Sequence, residues 1–217
     1  NTITIQHTDG TNVIILWRGV LNAGMSVQID ESGYITVWSA GGIAIGTTVS
    51  GSYYNNSVVA QGPGFASDTY VTGSNILLPA QLPRVGTMYR CRISASKTAA
   101  GTATPIVQLR HGVNATTGDA SRCSFTFSAG TAATDQGMFE VIGLYRTVGS
   151  GTSAVIQGYC RLVSQPTTGF SSLLKGVQTT SAGHDSTTAN AYLGVSVNGG
   201  TSAAWTVQQV TAELMNI

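Results

Sequence analysis

The chain has few charged residues and almost no lysine. Charged residues make up 9% of the 217 residues, against about 25% in an average soluble domain. Ten Lys and Arg nearly balance nine Asp and Glu, so the formal net charge is only +1. A charge this small gives no field that would favour nucleic acid or an anionic membrane as a partner. Lys97 and Lys175 are the only lysines, so sheet edges lack a common protection against strand addition.

Helical periodicity and long apolar runs are also missing. No segment approaches the roughly 18 apolar residues of a membrane-spanning helix, so membrane insertion is not expected. Hydrophobic residues make up 42% of the chain, which differs from the composition of a disordered protein. We therefore expect a folded protein whose apolar side chains build a core.

The three cysteines are too few and too irregularly spaced for a disulfide framework or a zinc site. Cys91, Cys123 and Cys160 each alternate with apolar neighbours in a strand-like segment. Because free Cys is among the most buried residue types, we expect three buried thiols and folding in a reducing cytosol. Neither a metal nor a cofactor is expected.

Alternation of apolar and polar residues recurs along the chain, bounded by Gly, Asn, Asp, Ser and Pro, and it predicts an all-β protein. We predict a small N-terminal β-barrel or sandwich module over 1–50 and a Gly/Ser/Asn-rich linker over 51–64. A jelly-roll-like antiparallel β-sandwich is predicted over 65–217. The predicted strands are Thr2–His7, Asn12–Arg18, Met25–Ile29, Tyr34–Trp38, Asp68–Val71, Asn75–Leu78, Met88–Ser96, Pro105–His111, Arg122–Phe127, Met138–Val148, Ala154–Val163, Leu173–Thr179, Ala191–Val197 and Ala204–Met215.

Gly-Thr followed by Ser or Ala occurs four times, at Gly101, Gly130, Gly151 and Gly200, and the last two read Gly-Thr-Ser-Ala. A phosphate-binding loop would need a following Lys and a helix, and the sequence predicts a strand after each opening. Their uneven spacing does not fit a structural repeat. The openings are therefore interpreted as turns, and the one at Gly151 predicts a hairpin between Met138–Val148 and Ala154–Val163.

No catalytic residue is predicted. The histidines are His7, His111 and His184, and no nucleophile elbow accompanies them. His184 and Asp185 are adjacent, so their side chains point apart on an extended chain. Glu140 and Glu213 lie within predicted strands, where pairing with an Arg such as Arg146 or Arg161, or a position at a subunit contact, is favoured over a glycosidase pair.

Oligomerisation is predicted from the last strand, where both alternating phases carry apolar residues. Two half-apolar faces indicate cover on both sides, and symmetric assembly supplies it. Arg90 and Arg92 share one strand face, which fits contact with an acidic neighbouring protein or ion pairs between subunits. The predicted oligomer contacts are Tyr145, Tyr159, Trp205, Arg90 and Arg92.

Several segments resemble a β-sandwich domain found at the C-termini of tailed-bacteriophage virion proteins. They are, in order, GFASDTYVTGSNILLPAQL, SKTAAGTATPIVQLR, CSFTFSAGTAATDQGMFEV and GHDSTTANAYLGVSVNGGTSAAWTVQQVTAEL, and they lie within residues 62–217. The front segments NTITIQHTDGTNVIILWRG and LNAGMSVQIDESGYITVWSAGG are similar to small β modules of phage decoration, fibre and tail proteins.

The resemblance implies a trimeric, non-enzymatic protein on the virion surface, synthesised and assembled in the bacterial cytoplasm. Its expected partners are two further copies, other proteins of the capsid or tail, and a host cell-surface polysaccharide. A fibre or spike for host attachment is the first expectation. A capsid decoration protein is the second expectation. The third expectation belongs to a different functional class and is a glycan-degrading enzyme.

Glycan binding would call for aromatic faces that stack on sugar rings, with amides or carboxylates for the sugar hydroxyls. In the later predicted loops these residue types are Tyr192, His184, Asp185 and Asn198, which we predict as ligand contacts. For Tyr192 a subunit contact is an equal alternative.

Overall fold

The computed structural model shows an all-β protein, as predicted. The residues that it describes are 2–8, 13–20, 26–29, 35–38, 44–47, 53–170 and 177–215. The chain divides into two compact units, Asn1–Gly51 and Ser52–Ile217. All regular secondary structure in the described residues is strand. In this part of the chain no helix is long and apolar enough to cross a membrane.

The described part of the first unit contains two small antiparallel sheets. Strands β1 (Thr2–Thr8) and β2 (Val13–Val20) form one sheet. Strands β3 (Ser26–Ile29), β4 (Ile35–Trp38) and β5 (Ala44–Thr47) form the other, with β4 in the centre. Strand β5 was not predicted, because AIGT is short and its Gly interrupts the alternation. The sequence also predicts turns between these strands at Asp9-Gly10, Asn22-Ala23-Gly24 and Glu31-Ser32-Gly33, and all three lie outside the described residues.

The second unit is a sandwich of two antiparallel sheets. Its strands in the described residues are β6 (Tyr53–Ser57), β7 (Gln61–Gly64), β8 (Thr69–Tyr70), β9 (Ile76–Leu78), β10 (Met88–Lys97), β11 (Ile106–Gly112), β12 (Ala120–Thr126), β13 (Asp135–Thr147), β14 (Ala154–Ser164), β15 (Val177–His184), β16 (Ala191–Asn198) and β17 (Trp205–Met215). The large sheet has the order β15-β14-β13-β10-β17-β6, and β7 also pairs with β17. The small sheet has the order β12-β11-β16-β8, and β9 also pairs with β16.

Alternation along β10, β13 and β14 directs apolar side chains between the two sheets. On β10 the side chains of Tyr89, Cys91, Ile93 and Ala95 are buried, while the intervening ones face outward. The facing strand β12 follows the same alternation at Cys123 and Phe125, as expected for a sandwich, whereas β11 and β16 also bury outward side chains such as Arg110 and Ser196. All three cysteines are free and buried in this core, which confirms the prediction from the sequence.

Two paired glycines allow the sheets to approach closely. Gly143 on β13 lies opposite Gly158 on β14. A Cβ on Gly158 would lie 2.5 Å from Cys123 Sγ, and a Cβ on Gly143 would lie 2.5 Å from Leu109 Cδ2. Side chains of the small sheet therefore rest directly on the backbone of the large sheet at this point.

The hairpin between β13 and β14 is confirmed, with an antiparallel register from Met138–Ser164 to Thr147–Val155. Most other strand predictions agree with the structure to within one to three residues at each end. The predicted strand Leu173–Thr179 falls partly outside the described residues, and β15 begins at Val177.

The segment predicted as a linker differs from the structure. Strand β6 pairs with the second half of β17, and β7 pairs with its first half. Pairing at the edge of a sheet uses backbone N–H and C=O groups, so it does not require alternating apolar side chains. The sequences YYNNS and QGPG therefore form strands although they show no hydrophobic alternation. The jelly-roll connectivity stays a prediction.

A β-bulge in the last strand explains its two apolar phases. Ala95 pairs with Val207 whereas Ser94 pairs with Gln209, so β17 carries one extra residue at this point. The extra residue shifts the alternation by one. Trp205 and Val207 before the bulge face the core. So do the residues after it, Val210, Ala212 and Leu214. The two phases therefore share one face, so the apolar residues of this strand do not by themselves require cover on both sides.

Candidate functional site

The outward side of the large sheet carries a row of charged residues that has Glu140 at its centre. Glu140 on β13 lies directly opposite Arg92 on β10 and Arg161 on β14. We call the outward side chains of β10, β13, β14 and β17 the Glu140 face. A row of three directly paired residues places their Cβ atoms about 5 Å apart across each strand pair, which suits contacts between long side chains.

Both arginines bind the Glu140 carboxylate. Arg92 Nε donates to Oε1 at 3.2 Å. Arg161 reaches Oε2 with Nε at 2.8 Å and with Nη2 at 2.6 Å. The Glu140 side chain is only 3% exposed, while those of Arg92 and Arg161 are 49% and 48% exposed. The sequence predicted an arginine partner such as Arg146 or Arg161 without choosing between them, and the structure gives Arg161 together with Arg92.

The two guanidinium groups keep Glu140 ionised. Burial acts to raise the pKa of this carboxyl, but hydrogen bonds from Arg161 and Arg92 outweigh it and hold the pKa below its usual value. The same contacts raise the pKa of Arg161. The cluster is therefore charged at neutral pH, with two positive charges and one negative charge on a sheet face.

Apolar side chains border this cluster. In the next row, Arg90 forms an ion pair with Glu213 and lies opposite Ile142, which in turn lies opposite Tyr159. In the row beyond, Met88 lies opposite Leu144. Arg, Tyr and Met are enriched at protein–protein interfaces relative to other surfaces. The Glu140 face thus combines a fixed charged centre with an apolar border.

Two shallow depressions lie on the other side of the charged row. The larger, about 220 Å³, is lined by Arg92, Ser94, Met138, Gln209 and Thr211. The smaller, about 160 Å³, shares Ser94 and Met138 and is lined as well by Gln136, Gly137, Ser164 and Pro166. Met138 is 38% exposed between them. A protruding side chain of a partner could enter either depression beside Met138.

The outward side of the small sheet has a different character. Arg110 is buried there, and its guanidinium donates to Ser196 Oγ, to the carbonyl oxygens of Thr117 and Asp119, and to the side chains of Asp68 and Gln108. These contacts engage all three of its nitrogens. Arg110 therefore fixes the loop before β12 and is not available to bind an external anion.

Three of the five predicted oligomer contacts lie together on the Glu140 face. Arg90, Arg92 and Tyr159 occupy adjacent positions in its rows. Tyr145 and Trp205 instead belong to the core, with 1% and 2% of their surface exposed. They are core residues, so the prediction that they contact another subunit was wrong.

The alternation explains the correction for these two aromatic residues. Tyr145 is in phase with Phe139 and Val141, which face the small sheet. The Trp205 ring packs against Phe170 at 4.7 Å and against Phe139 at 5.5 Å between ring centroids. Neither side chain is therefore accessible to a second subunit.

The four predicted ligand contacts do not form one site. Tyr192 and Asn198 are both half-buried on β16, but they are six residues apart, or about 20 Å of strand. His184 is 2% exposed and therefore lies inside the sandwich, not in a solvent-facing loop. Asp185 binds the backbone of its own loop, where its carboxylate accepts hydrogen bonds from the N–H groups of Gly151, Thr187 and Thr188.

Sequence reasoning missed the outward residues of the depressions, such as Met138 and Gln209. Their positions follow from the phase of the strands: Met138 is outward because Phe139 is inward, and Gln209 is outward because the bulge precedes Val210. The outward position of Met138 could be predicted from the alternation. That of Gln209 depends on a register shift that no local pattern reveals.

No group of three or more His, Cys, Asp and Glu side chains within the described ranges could hold a metal ion. A comparison of the chain with protein-family models and with curated protein sequences finds no match.

Proposed function

We propose that this chain is a non-enzymatic structural protein of a bacteriophage virion surface that assembles into a homotrimer through the Glu140 face. The observation that carries the assembly is the Arg92–Glu140–Arg161 cluster on an outward sheet face with an apolar border. The virion surface and the number of subunits are supported by the resemblance of the quoted segments to phage proteins.

The cluster suits a subunit contact for an electrostatic reason. A buried carboxylate is costly unless it is paired, and here both its oxygens are engaged before any partner arrives. The remaining donors of the half-exposed arginines can still bind a neighbour. A second copy offers acceptors for them, such as backbone carbonyls at the end of its sandwich, while Tyr159 and Leu144 contribute apolar contact.

Host attachment as a fibre or spike is the first role that we propose for the assembly. Hydroxyl-rich loops on a β-sandwich scaffold are suited to a polysaccharide, whose hydroxyls they can bind without net charge. Decoration of the capsid is the second role, in which the assembly bridges shell proteins and stabilises them.

The assembly is tested by light scattering with the Ile142→Asp variant. Wild-type protein at micromolar concentration is expected to show three times the mass of one chain, and Ile142→Asp is expected to show one chain mass. The new carboxylate lies opposite Arg90, so the monomer can accommodate it. Val113→Asp is the matched control, since Val113 is 62% exposed outside the Glu140 face. A monomeric wild-type protein would refute the assembly.

The role is tested with labelled wild-type protein. Coating of host cells together with competition against phage adsorption would support attachment. Binding only to capsids that lack the protein would support decoration. Cleavage of host polysaccharide by the purified protein would refute a purely structural function.

A further inference from the structure

One side of the sandwich is closed by the edge strands of its two sheets. β12 ends the small sheet and β15 ends the large sheet, and the two strands pack against each other. We call this contact the β12–β15 seam. Within the described residues, each of these strands has hydrogen-bonded strand pairing on one side only, β12 with β11 and β15 with β14. Strands with one neighbour open at lower free energy than central strands.

Two buried histidines meet beside the seam. His111 at the end of β11 and His184 at the end of β15 have ring centroids 4.7 Å apart with a tilt of 58°. They are 5% and 2% exposed. The Tyr145 ring lies 5.8 Å from His184 on the large-sheet side, and Arg122 on β12 contributes the neighbouring guanidinium. A contact between the two sheets thus depends on two titratable rings.

Arg122 Nη1 donates across the seam to the Gly183 carbonyl oxygen at 3.4 Å, but five polar atoms of the cluster lack hydrogen-bond partners among the described residues. They are His111 Nε2, both ring nitrogens of His184, the Tyr145 hydroxyl oxygen and Arg122 Nε. A buried polar atom without a hydrogen-bond partner has a cost in folding free energy. The cost is tolerable for neutral imidazoles but rises steeply when an imidazole becomes charged without a partner.

The charged groups around the two rings oppose protonation on balance. Burial, then His184 and then Arg122 lower the pKa of His111 to about 4, against weaker effects of Asp119 and Asp185 that raise it. Burial followed by Arg122 lowers the pKa of His184 to about 4, and Asp185 opposes this. Tyr145, from the large sheet, is neutral because burial raises its pKa.

The two carboxylates near the rings are occupied elsewhere. Asp119 accepts hydrogen bonds from the N–H groups of Asn114 and Thr116, and Asp185 accepts its own from loop N–H groups. Among the described residues, neither forms an ion pair with Arg122 or with a ring. A newly charged imidazolium would therefore lie near a guanidinium and would have no ion-pair partner among the described residues.

We propose that the β12–β15 seam is an acid-sensitive opening point, at which protonation of His111 and His184 separates the two edge strands while the central strands stay paired. Opening lets water hydrate the imidazolium ions and separates His184 from His111 and from Arg122, which stay together on the small sheet. In the open state the two imidazoles bind protons below about pH 6.5. In the closed state they bind protons only below about pH 4. The seam is therefore closed above that window and opens progressively as the pH falls through it.

Amide hydrogen exchange at about pH 7.5 and about pH 4.5, corrected for intrinsic rates, tests the proposal. The protection factors of amides in peptides from β12 and β15 are expected to fall at least about tenfold at the lower pH. Peptides from the central strands β10 and β13 serve as the internal control and are expected to keep theirs. Equal protection of β12 and β15 at both pH values would overturn the proposal, and so would a uniform loss in every strand.

The double variant His111→Gln/His184→Gln removes both titrating groups. Its β12 and β15 peptides are expected to show the same protection at both pH values, and a response like that of wild type would overturn the proposal. A second measurement needs no variant: the imidazole proton signals of wild-type protein, followed by NMR, are expected to titrate with midpoints below about 5 for two of the three histidines. Midpoints near 6.5 for all three would overturn it.

Discussion

Glu140 shows how one residue can fix the character of a whole sheet face. Its neighbours in the sequence, Phe139 and Val141, enter the core, so the strand directs this single carboxylate outward. There it meets an arginine from each flanking strand. Replacing the carboxylate leaves two guanidinium groups close together with no counter-charge. Replacing a polar residue elsewhere on the surface would not have this effect.

Glu140→Gln is expected to lower the free energy of unfolding by about 1–3 kcal/mol. Removing one member of a buried pair costs about 3–5 kcal/mol, and solvent reduces that value here because both arginines are half-exposed. Urea denaturation at neutral pH measures the change. Glu213→Gln is the matched control: its pair with Arg90 is partly exposed on both sides, so a loss below about 1 kcal/mol is expected. Equal losses in the two variants would contradict the special position of Glu140.

The same residue gives the molecule a defined response to acid. The pKa of Glu140 is lower in the folded protein than its ordinary value. Its stabilising contribution is therefore complete above the ordinary carboxyl pKa of about 4.3 and is lost as the pH falls through the lower folded value. The difference in stability between wild type and Glu140→Gln is expected to shrink below about pH 4. A difference that stays constant down to pH 3, measured by urea denaturation, would contradict the ion pairing.

Gly158 is the residue at which the distance between the sheets is set. Gly158→Ala is expected to destabilise the protein by roughly 1–3 kcal/mol, because overpacking a well-filled core forces side chains and backbone to shift. The added Cβ would approach Cys123 Sγ to 2.5 Å and Phe125 Cζ to 2.8 Å. Thermal unfolding followed by circular dichroism measures the loss. Gly64→Ala is the control, since its nearest contact would be at 3.9 Å, and it is expected to be nearly neutral.

At the scale of elements, Asp185 joins the loop after β15 to the hairpin tip between β13 and β14. Its carboxylate accepts hydrogen bonds from Gly151 N at 3.0 Å and from Thr187 N and Thr188 N at 2.9 Å. These bonds lower the pKa of Asp185. A residue predicted to bind sugar is thus a structural cap.

Asp185→Ala is expected to speed amide exchange in both loops that the carboxylate connects. The N–H groups of Gly151, Thr187 and Thr188 would lose their acceptor and become open to water. Exchange at neutral pH, resolved to single amides by NMR, measures the effect, and amides of β10 are expected to stay unchanged. Asp185→Asn keeps one acceptor oxygen and should show a smaller change. An unchanged exchange rate at all three amides would rule out the capping role.

The strands differ in how well the sequence predicts them, for physical reasons. β10 reads MYRCRISASK, with every second residue apolar or small, so its position and its inward face follow from the sequence. β6 and β7 lie at the edge of the sheet and pair through backbone groups alone, so their sequences carry no alternation. β17 alternates in two phases, and only the pairing with β10 shows that a bulge unites them.

The candidate site was predictable only in its parts. The chemistry of Arg90, Arg92 and Tyr159 indicates contact surfaces, and the strand phase places each of them outward. Which outward residues become neighbours depends on the order of strands in the sheet, and β10 lies between β13 and β17 although it precedes both by many residues. Such non-local order is not encoded in any local segment. The seam cluster of His111 and His184 escaped prediction for the same reason.

At the scale of the whole molecule, the two faces of the sandwich have different roles. On the small sheet the outward Arg110 donates hydrogen bonds to the loop before β12. This buried cation is therefore engaged by its own chain. The large sheet presents an ion cluster, an apolar border and two depressions on one side. Because charged residues are scarce in the chain as a whole, their concentration on this face favours a specific contact over general solubility.

If the Glu140 face joins subunits, the melting temperature of wild-type protein is expected to rise with protein concentration, because association binds only the folded chain. Across about a hundredfold range of concentration, scanning calorimetry is expected to show this rise for wild type and for Val113→Asp. Ile142→Asp is expected to melt at one temperature throughout, close to that of dilute wild type, since each chain then unfolds alone. A wild-type melting temperature independent of concentration, or an Ile142→Asp variant that follows wild type, would mean that the face does not hold the assembly together.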